Sequence, residues 1–318
     1  KICKICKKGK IITSKKIYFN SIKENWIVDR FIQEWTEYNQ DFPVSGIFKS
    51  QIIWLIAPWT WRKVPRYFLK RKKVLCTIHH IDEDKFDEVQ KKDFIQRDKY
   101  VDVYHVISNS TENQLRKYTK KKIFNQPFWV NQNNWFEIKS KKDLRRELGF
   151  SNDEFLIGSF QRDTEGKDLI SPKLSKGPDR FIEIVKYYNN LEKNLKVILT
   201  GKRRQYIITN LEKSNINYEY IEMASITKMN KLYNILDLYI VSSRFEGGPQ
   251  SIMECAVTKT PIISTNVGVV SQILAPESIY NMNNFKSAKA NTDTPFKNVQ
   301  QFLTPQGFLK FNKFFGDL

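Results

Sequence analysis

Two glutamates with seven residues between them, Glu246 and Glu254, stand in the segment Ser243-Arg244-Phe245-Glu246-Gly247-Gly248-Pro249-Gln250-Ser251-Ile252-Met253-Glu254. An apolar run ends just before the first carboxylate. Two glycines then allow a ligand close to the backbone, and Pro249 suits the first position of a helix. Free N–H groups at such a helix entrance attract phosphate or polarised sugar oxygens. Glu246 would overhang that opening, and Glu254, about a turn and a half into the helix, can point back towards it. Carboxylates accept hydrogen bonds from paired hydroxyls, so a polyol between the two is the natural guest.

Other chemistry-bearing residues give less. Cys3 and Cys6 form a lone CxxC with no second pair at a finger-like distance, so they read as ordinary thiols. Cys76 and Cys255 sit in apolar runs and read as small core residues. His79-His80 ends the apolar run Val74–Ile78, where a histidine can face a ligand or be satisfied by backbone. Residues 58–73 mix Arg62, Lys63, Arg66, Lys70, Arg71, Lys72 and Lys73 with Trp59, Trp61, Tyr67 and Phe68. That mixture suits the headgroup zone of an anionic membrane, and it also suits a solvated loop around a few core aromatics.

These residues need elements to carry them. Short apolar runs alternate with helix-like stretches twice over: first from Lys16–Phe19 through Gln51–Ala57, Val74–Ile78, Tyr104–Ile107 and Ile123–Val130. After a polar linker at Asn131–Asn134 the second set follows: Phe155–Phe160, Lys196–Thr200, Tyr218–Ile221, Leu238–Val241 and Pro261–Ser264. Helices are expected at Trp26–Tyr38, Lys141–Leu148, Asp179–Asn189, Thr227–Leu236, Pro249–Val257 and about 304–315. The pattern predicts an α/β protein of two Rossmann-like, doubly wound parallel domains facing a cleft, with ligands beyond the carboxyl ends of the strands. The expected division is 1–138 and 139–318, with the last helix either on the second domain or crossing back to the first.

In 318 residues, 53 basic against 34 acidic side chains leave a net charge of +19. No nucleic-acid-binding motif accompanies that charge, so phosphate-bearing substrates or an anionic membrane surface are the expected partners. No apolar run reaches spanning length and no signal-peptide core is visible, which points to the cytoplasm, with peripheral attachment to the inner membrane face as an option.

Taken together, the motifs resemble the retaining glycosyltransferases of GT-B fold often called group 1 or family 4. Asp237, Ser243, Glu246-Gly247-Gly248-Pro249, Glu254-Cys255-Ala256 and Pro261-Ile262-Ile263 follow that family's order around its pair of glutamates. Ile157–Arg162 and Lys176-Gly177-Pro178-Asp179 match its strand ending in a basic residue and its Lys-Gly before a helix. Val197–Gly201 matches a strand–Gly element, and Ile221–Leu236 a loop and helix around the nucleotide. The resemblance implies that Glu246 contacts the donor sugar and Glu254 the ribose, beside Gly247 and Gly248. It implies that Arg162 and Lys176 bind the donor diphosphate, and that His79, with His80 second in line, faces the transferred sugar. A UDP-, GDP- or ADP-sugar is then the donor and a glycan or lipid-linked molecule the acceptor. Transfer would retain configuration, need no metal or other cofactor, and belong to cell-surface polysaccharide or glycolipid synthesis. A GT-B epimerase or phosphorylase, or a non-catalytic nucleotide-sugar- or nucleic-acid-binding protein, would use the same architecture. Three features depart from the family: the long connection Asp163–Ser175, a single glycine in Val267–Gln272, and Phe19-Asn20-Ser21 in place of a glycine-rich first loop.

Overall fold

The computed structural model describes residues 15–20 and 27–318. Cys3, Cys6, Ser21 and Trp26, singled out above, lie outside the described residues. Two parallel sheets carry the fold. The first comprises β1 (Ile17–Phe19), β2 (Ile52–Leu55), β3 (Lys73–Ile78), β4 (Val103–Val106) and β5 (Lys122–Asn125), hydrogen-bonded in that order. A parallel bridge joins Val44 to Ile17 beside the β1–β2 pairing. The chain therefore passes through the helix Ile27–Tyr38 to one side of β1 and returns to β2 on the other, which creates a switch point there.

The second sheet contains β6 (Phe155–Ser159), β7 (Leu195–Thr200), β8 (Asn217–Ile221), β9 (Leu238–Val241), β10 (Ile262–Thr265) and β11 (Ile279–Tyr280) in the order β11-β10-β9-β6-β7-β8. Its switch point lies between β6 and β9, which pair through Ile157–Leu238 and Gly158–Tyr239. Most of these strands are buried apolar runs, because helices cover both faces of each sheet.

Each sheet has two cores. In the first, Ile53, Leu55, Val74 and Cys76 face one side, while Trp54, Leu75 and Val103 face the other. That second side is closed by Trp35 from the helix Ile27–Tyr38 and by Phe311, Phe314 and Phe315 from the helix Leu309–Asp317. Phe311 stacks on Trp54 at 5.4 Å and Phe314 on Phe124 at 4.2 Å between centroids. The chain thus crosses between the sheets twice, and the two crossings touch: Val130 N–H donates to the Phe302 carbonyl at 2.9 Å. Asn131 is buried there, and Trp135 just beyond, so the ends of the stretch expected to be a polar linker pack into the seam while Asn133 stays exposed. The final helix also starts later than the phenylalanine spacing suggests, since residues 306–308 form a single 3₁₀ turn ahead of it.

Candidate active site

The carboxyl ends of the strands at both switch points meet across a cleft. On the first-domain side Asn20 stands where the resembled family has glycines. Its side-chain amide donates to the Ala57 carbonyl at 2.8 Å and to Thr60 Oγ1 at 3.0 Å, and its Oδ1 accepts from Ala57 N–H. That buried amide ties the end of β1 to the end of β2.

On the second-domain side, the loop after β9 and the loop before the helix Pro178–Asn189 zip together. Arg244 and Phe245 N–H groups both reach the Ser175 carbonyl, at 2.8 and 3.2 Å. The Arg244 guanidinium forms a fork on Asp179 at 2.7 and 2.6 Å, a bidentate geometry available only to arginine. Gly177 sits at φ +61°, and a Cβ there would lie 1.9 Å from the Ser242 carbonyl, so no other residue fits this close approach. This clamp places Lys176 directly against Glu246, whose Oε1 takes the Lys176 ammonium and the Ser243 hydroxyl, the latter at 3.3 Å.

Glu254 is 5% exposed, in the helix Gln250–Thr258, which is buried from Ile252 onward. Its Oε1 accepts from Arg30 of the helix Ile27–Tyr38 at 2.8 Å, and its Oε2 from the Tyr233 hydroxyl at 2.8 Å. Arg30 also lies 3.9 Å from Glu34, which is held by Trp129 Nε1 at 2.9 Å. Burial pushes the Glu34 carboxyl pKa up, against the pull of Arg30. The glutamate expected at the ribose is therefore joined to an interdomain charge cluster. No spacing in the sequence announces it, because Arg30 is 224 positions away.

Of the two histidines, the structure separates their settings. His79 donates from Nε2 to the Ile56 carbonyl at 2.8 Å, between the rings of Trp59 and Phe128, and burial pushes its pKa down to about 4. His80 is exposed and lies within the field of Glu246, Lys176 and Lys173, while desolvation holds its pKa below the usual value. The imidazole nearest the Glu246 cluster is thus that of His80, and the His79 ring is anchored in its own domain. Successive residues leaving a strand point to opposite sides, which is why the pair divides this way.

Arg162 lies exposed at the end of β6, close enough to Lys173 for their charges to interact. Gly247 and Gly248 also stand at a close approach between the two domains. A Cβ on Gly247 would lie 1.4 Å from the His79 carbonyl, and both glycines press on Ile107 of the first domain. They allow the second domain's helix entrance to close on the first domain's strand ends. Pro249 is the residue preceding that helix, not its first turn. Gly268, at φ +56°, approaches the Gly247 carbonyl, so the single glycine of the 267–272 loop supports the same turn.

Two facing Rossmann-like domains with the site between their strand ends are the GT-B architecture of glycosyltransferases. HepE of Anabaena, solved with UDP and glucose, has a similar fold at TM-score 0.76 and 11% identity, over 96% of this chain and all of that one. Sucrose-phosphate synthase from Thermosynechococcus elongatus gives 0.67 and 14%, over 91% of this chain and 76% of that one. A glycosyltransferase from Rickettsia africae gives 0.67 and 14%, over 96% and 98%. At the level of sequence, residues 142–294, just under half of the chain, match the family model of glycosyl transferases group 1. The family match lies within the second domain, and the likeness of fold extends over nearly the whole chain. No curated protein matches the chain closely enough in sequence to count as a relative.

Proposed function

We propose that this protein transfers a sugar from a nucleoside-diphosphate donor to an acceptor hydroxyl with retention of configuration and without a metal. The observation that carries the reading is the cluster at the second switch point: Glu246 held by Lys176 and Ser243, with His80 opposite and Arg162 near the adjoining Lys173. A departing nucleoside diphosphate develops negative charge, and fixed cations at that position stabilise it more in the transition state than in the ground state. Glu246 would orient the sugar hydroxyls. The leaving phosphate would take the acceptor's proton on the same face, so no enzymic nucleophile is needed. Glu254 would meet the ribose, exchanging Arg30 for two hydroxyls. Gly247 and Gly248 would line the donor pocket beside it, and His79 would act through the position of its backbone.

The acceptor is proposed to be a glycan or lipid-linked molecule of cell-surface polysaccharide or glycolipid synthesis, reached at the inner face of a membrane. The supporting surface is the 58–73 segment, where Trp59 and Tyr67 are 58% and 59% exposed beside Lys63, Arg66, Lys70 and Arg71. No helix among the described residues is long and apolar enough to cross a membrane, so attachment through this face would be peripheral.

The test of the donor site is a thermal-shift screen against UDP-, GDP- and ADP-sugars, with UDP-glucose first because HepE was solved with UDP and glucose. A ligand that binds only the folded state adds about 2.7 kcal/mol at a hundredfold excess over its dissociation constant. Stabilisation by one nucleotide class, lost in Glu254→Ala, is the expected result. No shift with any donor refutes the reading.

A further inference from the structure

The thirteen residues between Arg162 and Lys176, the connection that departs in length from the resembled family, form a built excursion. Asp163 and Arg204 are both buried and paired at 2.8 Å, and the same guanidinium donates to the Ser159 and Thr200 carbonyls at 2.7 and 3.0 Å. Asp163 N–H donates to the Arg203 carbonyl at 3.0 Å, and Lys173 N–H to the Asp163 carbonyl at 2.7 Å. Thr164 and Pro172 form an antiparallel bridge. The chain therefore leaves the cleft and re-enters it at one fixed place. Lys173 is the residue on the returning side. Across the cleft Lys85 of the first domain pairs with Glu165 of the excursion at 2.6 Å.

Lys173 is half-buried, and Arg162, Lys176, Glu246 and Glu165 all act on its charge. Glu246 is already taken by Lys176. Among the described residues neither Arg162 nor Lys173 belongs to an ion pair, although like charges crowd there. Both carboxylates in reach are already paired, Glu246 with Lys176 and Glu165 with Lys85, so Arg162 and Lys173 leave an excess of positive charge that an anion would relieve.

We propose that Lys173 is a third cationic ligand of the donor's diphosphate, delivered by the 163–175 excursion to supplement Arg162 and Lys176. This rests on the reading of the cleft as a nucleotide-sugar site. Three cations match the charge of a nucleoside diphosphate more fully than two, and the ammonium's three donors can bridge both phosphates. The free ammonium also has a distinctive signature: desolvation, with Arg162 and Lys176 nearby, pushes its pKa down to about 8. Affinity for the diphosphate should then fall between pH 7 and 9, where the ligand's own terminal phosphate stays ionised. The other charges facing Lys173 are Arg162, Lys176, Glu246, Glu165 with its partner Lys85, and His80 from the first domain.

The experiment is calorimetric titration of the full chain with UDP, GDP, ADP and uridine at pH 7, 8 and 9, for wild type, Lys173→Ala and Lys173→Arg. Lys173→Ala should weaken the preferred diphosphate about tenfold and leave uridine unchanged. Lys173→Arg should keep the affinity and flatten its fall above pH 7. Unchanged diphosphate affinity in Lys173→Ala overturns the inference and leaves the donor reading standing. Equal weakening of uridine also overturns it, because the loop would then only shape the pocket. A wild-type chain that takes up none of the three diphosphates overturns the donor reading and this inference with it.

Discussion

Replacing Arg30 with methionine keeps much of the side chain's apolar stem and removes its charge. The structure makes Arg30 the cation shared by Glu254, at 2.8 Å, and Glu34, at 3.9 Å. The side chains of Arg30, Glu254 and Glu34 are 18%, 6% and 5% exposed, so water cannot take over the lost contacts. Removing one partner of such a buried pair costs about 3–5 kcal/mol, because the surviving carboxylate remains desolvated. At about 2.1 cal/mol/K per residue, 318 residues have an unfolding entropy of about 0.67 kcal/mol/K. A loss of about 3 kcal/mol is then a fall in Tm of about 4–5 °C at pH 7. The pH dependence has a definite sign. Glu34 already has a raised pKa in the folded protein, and without Arg30 it rises further. Between the unfolded and folded pKa the native state binds the extra proton, so stability falls as pH rises through that window. The Arg30→Met deficit should therefore shrink at pH 5 and be full at pH 8, read by thermal melts at both. Adding Glu254→Gln to Arg30→Met should restore part of the loss. A melt within about 1 °C of wild type at pH 8, or a deficit that grows on acidification, would show that the cluster does not hold the domains as described.

Gly247→Ala should separate the domains rather than unfold either, because a Cβ there falls 1.4 Å from the His79 carbonyl across the cleft. Small-angle scattering should show a larger radius of gyration with helix and strand content unchanged; an unaltered radius refutes the close approach. The 58–73 surface should sediment with anionic vesicles at low salt and release as salt rises, at ~1 kcal/mol per engaged cation. Trp59→Ala with Tyr67→Ala should weaken that binding, and a wild-type chain that ignores anionic vesicles removes the membrane from the proposal.

The strand ends that build the cleft were legible because each buried strand is an unbroken apolar run ending in polar or glycine residues, as Leu238–Val241 does before Ser242. Order along the chain placed Lys176 and Glu246 in one donor site, and their direct contact is seen only in the structure. Arg30 and Asn20 were not legible. Each acts on a residue far along the chain, and a charged position on an amphipathic helix ordinarily faces solvent. The helix Glu88–Asp98 escaped for a related reason: it buries few residues, Phe94 and Arg97 among them, so hardly any apolar period marks it. The sequence put His79 ahead of His80 by resemblance alone, because only the twist of the strand exit decides which ring turns inward. The close approach of Gly247 to the His79 carbonyl was not legible either, because that partner lies in the other half of the chain.

The return of the helix Leu309–Asp317 to the first sheet sets an order on synthesis. Domains ordinarily complete themselves as they leave the ribosome, the earlier one first. Here one face of the earlier sheet stays uncovered, with Trp35, Trp54 and Phe128 lacking the rings of Phe308, Phe311 and Phe315. The later sheet and its helices, which lie almost entirely upstream of residue 300, can close before that aromatic seal arrives. The second domain of this chain is then the first to mature. A nascent protein stalled before residue 309 would present an exposed aromatic surface of the kind chaperones hold.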